Sequence, residues 1–325
     1  MNFGRHESVF MNIKIDWPSG KDFAFTIFDD PDFDTIETTT SLYSFLKDLG
    51  YRTTKAVWPL QGNGTPKLCG TTCENERYLE LVLNLKKDGF EIAFHNATHH
   101  TSTREQTAHG LETFRRLFGH DPALMANHVG CQEGIYWGSA RVSSLYRLLH
   151  HILNLTVNGT PTVSQGHIEG SPLFWGDLCQ EKIKYVRNFV FGDINTLKAC
   201  PVMPYYDPTR PFVNQWFAAS EGPNVTSFNA MVCEQNQDRL VSERGACIMY
   251  THLAAGFLEK DGKINKRFMI LMDRMSKLNG WFVPVSTLLD FILQTRGSHV
   301  ITQAERSSLE RRWIWHKIAH TQGRS

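Results

Sequence analysis

Three parts of the sequence carry residues whose types and spacing suit hydrolytic chemistry: Asp29-Asp30, His95 with His99 four residues on, and His252. Asp30, His95 and His99 make a two-histidine, one-carboxylate set, which can hold a divalent ion and leave positions open for water and substrate. Zn2+ is the default for imidazole and carboxylate donors, with other first-row metals fitting nearly as well. Such an ion lowers the pKa of bound water and polarises a carbonyl. Histidines at i and i+4 face the same way if their segment takes one helical turn. Asp29, beside the ligand Asp30 on extended backbone, points elsewhere and is read as a general base. His252 comes from a distant segment and is read as the general acid that protonates a leaving amine, its imidazole suited to work near neutrality. The set describes metal-assisted hydrolysis of an amide or ester.

Each of these residues is predicted to stand where a strand ends. Phe23–Phe28 is an apolar run entering Asp29-Asp30-Pro31; Phe90–Phe94 is a strand with His95 at its carboxyl end; Ala246–Thr251 is a strand followed directly by His252. Between them the pattern gives helices over Thr38–Leu49, Glu74–Asp88 and Ser102–Phe118, a strand over Tyr51–Leu60 and a short strand over Ala123–Ala126. Further on, Asp177–Phe191 and Ser227–Glu243 read as helices, and residues 198–224 as irregular. Lys266–Leu278 reads as a helix, Trp281–Val285 as a strand, Ser286–Thr295 as a helix capped by Ser286, and Gln303–His320 as a charged amphipathic helix. Strands alternating with helices predict a parallel α/β sheet, in which ligands sit at the carboxyl ends of strands.

The chain has 325 residues, 34 Lys+Arg against 33 Asp+Glu, and 41% hydrophobic residues. That balance gives no electrostatic case for nucleic acid or an acidic membrane as partner. No stretch is apolar for long enough to span a bilayer, and the first twenty residues lack the apolar core of a secretory signal, so the cytoplasm is the expected compartment. Seven cysteines are an odd number for a disulfide framework, and the Cys69/Cys73 pair reads as a reduced loop. Fourteen histidines make a bare HxxxH weak. The second such pair, His316/His320, lies in the charged tail and reads as surface. Trp175, Tyr205, Tyr206 and Trp216 offer a wall for stacking a sugar, or core packing.

FAFTIFDD resembles the first motif of polysaccharide deacetylases of the NodB-homology type (carbohydrate esterase family 4). GFEIAFHNATHH resembles their second motif, with His95 and His99 on its two histidines, and CIMYTH the late motif that ends in His252. The resemblance spans about residues 20 to 290. It implies a deformed (β/α) barrel, often of seven strands, and a metal on Asp30, His95 and His99. It implies Asp29 as base, His252 as acid, and removal of an acetyl group from an N-acetylated sugar of envelope polysaccharide or its precursors. Three features depart from the family. Pro31 stands where it has Gly; the third-motif arginine, which positions the catalytic Asp, is replaced near Asn127 and His128; and the fourth motif is represented only by Trp175 and Asp177. Asn127, His128, Trp175 and Asp177 are accordingly candidate substrate residues. The expected organisation is an extension over 1–20, the deacetylase-like domain over 21–296 with inserts near 61–73 and 160–224, and a helical tail over 297–325. Two competing readings are an amidohydrolase of the same fold acting on a non-sugar C–N bond, and a catalytically silent scaffold of a polysaccharide synthesis complex.

Overall fold

The computed structural model describes residues 15–64, 66–143, 146–147 and 163–322. In chain order the strands are β1 (Phe23–Asp29), β2 (Thr54–Val57), β3 (Glu91–Phe94), β4 (Leu124–Met125), β5 (Tyr185–Phe191), β6 (Tyr205–Tyr206), β7 (Gln215–Glu221), β8 (Ala246–Thr251), β9 (Gly280–Phe282) and β10 (His299–Val300). Seven of them, β1, β2, β3, β4, β5, β7 and β8, pair in parallel and close into a barrel where β8 meets β1 along Ala24–Asp29. This is the deformed (β/α) barrel expected from the sequence. The deformation is local: β8 occupies one side of β1, while the other side is shared by β9 against Phe23–Phe25 and β2 against Phe28–Asp29.

The helices packed around the strands are α1 (Ile36–Asp48), α2 (Glu76–Lys87), α3 (Arg104–Phe118), α4 (Gly176–Lys182), α5 (Thr196–Ala199), α6 (Val225–Met231), α7 (Glu234–Ser242), α8 (Lys266–Ser276), α9 (Val285–Arg296) and α10 (Gln303–Gln322). With helices outside and side chains filling the inside, the strands are buried on both faces, so every residue of β1 is buried. Alternation still sorts them. Phe23, Phe25 and Ile27 join Leu42, Leu46 and Phe268 in an outer layer under α1 and α8, while Ala24 and Phe28 join the larger cluster with Ala56, Phe94 and Phe217.

Differences from the sequence reading concentrate in the second half. Asp177–Phe191 is not one helix: α4 ends at Lys182, and the aromatic and β-branched run Tyr185–Phe191 is a central strand. Residues 198–224 contain β6 and the fully integrated strand β7. Ser227–Glu243 breaks at Val232-Cys233 into α6 and α7. Ser286 does not cap α9, whose first residue follows Pro284; the Val285 and Ser286 amides instead donate to Thr54 Oγ1 and Glu91 Oε2 of the barrel. The expected extension over 1–20 lies mostly outside the described residues, as do His150 and His151.

The tail helix α10 is docked on the barrel. Leu309, Trp313 and Ile314 are buried, Glu310 is buried beside Arg210 and accepts a hydrogen bond from Ser143, and Lys317 and His316 both pair with Glu221 at the carboxyl end of β7. His316 is therefore a docked side chain and not the free surface residue that the sequence suggests.

Deleting residues 303–325 removes three buried apolar side chains, worth roughly 5–9 kcal/mol, which rivals the net stability of a whole domain. The shortened chain is expected to lose its cooperative thermal transition in calorimetry; a transition within a few degrees of the full chain would show that α10 contributes little.

Candidate functional site

The carboxyl ends of five barrel strands and the body of a sixth deliver residues to one place: Asp30 and Asp32 after β1, Trp58 after β2, His95 after β3, His128 after β4, His252 after β8, and Arg187 from within β5. Backbone pairing continues past the strands to hold these ends. The Asp30 amide donates to the Thr251 carbonyl at 2.9 Å, His95 to Val57 at 3.0 Å and Ala126 to Phe94 at 3.2 Å. A ring of strand ends tied in this way leaves the side chains little freedom.

Alternation along β1 separates the neighbouring carboxylates. Asp29 continues the outer row of Phe23, Phe25 and Ile27, and Asp30 the inner row of Ala24 and Phe28. Asp29 is buried with both oxygens engaged by protein: Oδ1 accepts from the Leu253 amide at 2.8 Å, and Oδ2 accepts from Tyr43 at 3.0 Å and faces Lys55 Nζ at 2.9 Å. Lys55 is wholly buried and also meets Asp34 Oδ2 at 2.5 Å, to which the Tyr78 hydroxyl donates at 2.8 Å. One ammonium thus serves two carboxylates. Burial pushes the Asp34 carboxyl up to about 7 despite the Lys55 charge. Burial works against the Lys55 charge, yet Asp29 and Asp34 hold its pKa above the ordinary value.

Asp30 faces inward and is held by Arg187 in a bidentate pair, Nη1 to Oδ1 at 2.9 Å and Nη2 to Oδ2 at 2.6 Å. The guanidinium lies over the Tyr250 and Phe28 rings, 4.3 and 4.9 Å from their centroids. An arginine thus reaches a carboxylate of this run from β5 rather than from the segment at Asn127 and His128.

Among the described residues two sets of three groups have ligand atoms within 4.8 Å of one another: Asp32, His95 and His128, and Asp30, Asp32 and His252. In the first, His95 Nε2 is 3.3 Å from His128 Nδ1 and 3.6 Å from Asp32 Oδ2, and His128 Nδ1 is 3.4 Å from Asp32 Oδ1. Donors about 2.0–2.2 Å from a tetrahedral ion stand about 3.3–3.6 Å apart; the histidine pair has that spacing, and each histidine has it to a different Asp32 oxygen. Burial, with the His95 charge, lowers the His128 pKa to about 4, which keeps its imidazole neutral as a ligand must be. His95 Nδ1 is buried without a hydrogen-bond partner, 3.8 Å from Asp30 Oδ1. The donor set fits a divalent metal. Burial opposes protonation of His252, but its hydrogen bond to Asp32 and the charges of Asp30 and Asp32 raise it to about 9. Its Nε2 is 3.4 Å from Asp32 Oδ2, and its Nδ1 donates to the Pro223 carbonyl at 2.8 Å.

The expected set of Asp30, His95 and His99 is only partly brought together. Asp30 and His95 meet, whereas His99 belongs to neither converging set. The expectation needs a helical turn after β3; the segment is instead non-helical, with Asn96 at φ 62°. His99 turns against Trp58 and bonds through Nε2 to the Gly64 carbonyl at 3.1 Å. Asn96 aligns the two histidine loops. Its side-chain amide donates to Glu133 at 2.6 Å, and its side-chain carbonyl accepts from the His128 amide at 3.2 Å. Burial raises the Glu133 carboxyl to about 7.

Of the candidate substrate residues, His128 is in the cluster. Asn127 pins its own loop by a two-way bond with the Ile135 backbone, Trp175 is buried and donates to the Glu133 carbonyl, and Asp177 is a half-exposed partner of Arg104 at 2.7 Å. Trp175, Tyr205 and Trp216 are core and form no sugar-stacking wall. Asp32 and Arg187 are the residues that sequence reasoning missed. The run Asp29-Asp30-Pro31-Asp32-Phe33-Asp34 offers four carboxylates, and only the fold shows which of them faces the histidines. The insert 61–73 rests on the site: the Phe33 amide donates to the Cys69 carbonyl at 2.8 Å, Thr71 to Asp34 at 3.0 Å, and Cys73 to Trp58 at 3.0 Å. Cys69 and Cys73 are free thiols in no converging set.

No protein-family model matches the chain, and no curated protein matches it in sequence. Similar solved structures are found. A protein of Mycobacterium smegmatis assigned as a polysaccharide deacetylase superposes with a TM-score of 0.51 at 11% identity, over 89% of this chain and 97% of that one. An assigned polysaccharide deacetylase of Pseudomonas aeruginosa PAO1 gives 0.48 at 11%, over 86% and 94%, and Puue allantoinase gives 0.47 at 11%, over 86% and 93%. The first of these likenesses shows the fold alone: this chain and that protein share the deformed (β/α) barrel.

Lys55→Met would leave Asp29 and Asp34 adjacent, buried and without their cation, a change worth about 3–5 kcal/mol. Without Lys55, burial and the Asp29 charge act unopposed on the Asp34 carboxyl and raise it further above its unfolded value, so the missing stability is small while Asp34 is protonated and grows as pH rises through about 7. Urea unfolding at pH 5 and pH 8 is expected to show a larger deficit at pH 8; equal deficits would remove Lys55 from this role.

Proposed function

We propose, taking the NodB-like deacetylase barrel as the frame, that this protein is a metal-dependent hydrolase that removes the acetyl group from an N-acetylated sugar. The observation that carries the reading is the convergence of Asp32, His95 and His128, with ligand atoms within 4.8 Å of one another, beside an arginine-held carboxylate and a histidine pushed toward its charged form. The order of the motifs along the chain adds support. The substrate class proposed is a sugar of envelope polysaccharide or its precursors.

Asp32, His95 and His128 would hold a divalent ion, Zn2+ being the default for this donor set. When bound, the ion supplies Lewis-acid polarisation of the acetyl carbonyl and acidification of water. The rest of the work falls to the chain. Asp30 is the proposed base in place of Asp29, because Asp29 is occupied by Lys55, Tyr43 and the Leu253 amide on the outer side of β1. Arg187 binds both Asp30 oxygens and fixes the plane of the carboxylate, leaving each oxygen a second lone pair to accept a proton from water. His252 is the proposed acid. Its Nδ1–H is committed to the Pro223 carbonyl, so the proton at Nε2 is the one given to the departing amine.

Metal content of the purified protein, with acetate release on a panel of N-acetylated sugars, tests this reading. Wild type is expected to carry one divalent ion and to release acetate. His128→Ala is expected to lose the ion, and His99→Ala to keep it. Asp30→Asn is expected to cost about 10²–10⁴-fold in turnover while the ion is retained. Metal lost from His99→Ala and kept in His128→Ala would restore the pairing suggested by the sequence. Retained metal with no acetate from any sugar would move the substrate to another C–N bond.

A further inference from the structure

Seven large apolar side chains among the described residues are exposed, and two of them directly follow cluster ligands: Phe33 after Asp32, and Val129 after His128, at 45% and 55% exposure. Phe33 also sits at φ 67°, a left-handed conformation that is an outlier for a bulky residue. The turn is clamped in that state. The Phe33 amide is bonded to Cys69, the Asp34 amide donates to the Pro31 carbonyl at 3.1 Å, and Gly70 packs so closely that a Cβ there would lie 2.3 Å from the Pro31 oxygen. The chain therefore tolerates backbone strain and leaves an aromatic ring in water. Neither helps the free protein fold. The ring stands edge-to-face with His252, centroids 6.3 Å apart.

We propose that Phe33, with Val129 on the histidine side, is the platform on which the apolar C–H face of the substrate's pyranose ring rests. This rests on the reading of the site given above and supplies its substrate-binding surface. The nitrogen of an acetamido group is one bond from its sugar ring, so a ring whose nitrogen reaches His252 lies within about one ring's width of it, where Phe33 stands. A flat aromatic face suits the C–H face of a sugar, and it is the exposed counterpart of the aromatic wall that Trp175, Tyr205 and Trp216, being core, do not provide.

Calorimetric titration with an N-acetylglucosamine tetramer, alongside acetate-release kinetics, tests the proposal in wild type, Phe33→Ala, Phe33→Tyr and Phe33→Gly. Phe33→Ala is expected to raise Kd and KM about tenfold and to leave kcat within about threefold. Phe33→Tyr, which keeps the ring, is expected to stay within about twofold of wild type. Phe33→Gly, which relieves the left-handed strain, is expected to melt no lower than wild type. Unchanged Kd and KM in Phe33→Ala would overturn the platform, as would a fall in kcat alone or a clear loss of thermal stability in Phe33→Gly. Wild type that binds the tetramer through Phe33 yet releases no acetate would uphold the platform and sink the deacetylase reading. Wild type that binds no sugar but releases acetate from a non-sugar amide would overturn both.

Discussion

The pair between Arg187 and Asp30 is the constraint on which the site is built. A guanidinium inside a closed barrel is costly unless a carboxylate answers it with two parallel hydrogen bonds and the rest of its surface finds aromatic rings. Here both conditions are met, by Asp30 and by the Tyr250 and Phe28 faces. The consequences spread outward. Asp30 cannot turn toward the histidines as a free ligand, so the carboxylate that meets both of them is Asp32. Asp32 can do so only because the chain bends back at Pro31–Asp34, and that bend puts Phe33 into its unusual conformation. One buried pair thus fixes the roles of the carboxylates along a six-residue run.

A second, separate pair closes the other side of β1. Asp29 and Asp34 share Lys55, and through Tyr43, Tyr78 and the Leu253 amide the group joins α1, α2, β2 and the loop after β8. The alternating strand sends one carboxylate to each network. Neighbours in sequence are therefore an anchor to the outer helices and a partner of Arg187 inside the barrel, separated by the thickness of a strand. The same economy holds around His95, where Asn96 bridges the loops after β3 and β4 while His99 supports the insert above.

Much of this is legible in the sequence. The strand ends at Phe94 and Thr251 are readable there, and the end of β1 to within one residue; the positions directly after the three strands hold three of the groups that converge, Asp30, His95 and His252. The closed barrel follows from the alternation of strands and helices together with the motif resemblance. What escapes a sequence reading is explained by burial. Tyr185–Phe191 carries the apolar continuity of a strand covered on both faces, a pattern that does not separate strand from helix, and an acidic first turn at Asp177 favours the helix. With β5 read as helix, Arg187 has no place in the site. Period two along β1 puts Asp29 on the row of Phe25 and Ile27 and Asp30 on the row of Phe28, so of the two only Asp30 faces the barrel interior. The choice of Asp32 and His128 over His99 has no local signal, because it depends on how two loops fold back over the barrel mouth.

The closure of the barrel also sets when the site can exist. Arg187 and Asp30 are 157 residues apart, and Asp29 and the Leu253 amide 224. Strand β1 emerges first from the ribosome and finds its β8 partner only when most of the chain has been made. Until then its row of phenylalanines lacks a neighbour on that side, and the charged run that follows it lacks the late histidine loop. Contacts of such sequence separation are slow to form, since the chain must close a long loop before they reward it. The cluster at the barrel mouth is therefore among the last parts to assemble, and a nascent or truncated chain that stops before β8 holds the carboxylates without the fold that distinguishes them.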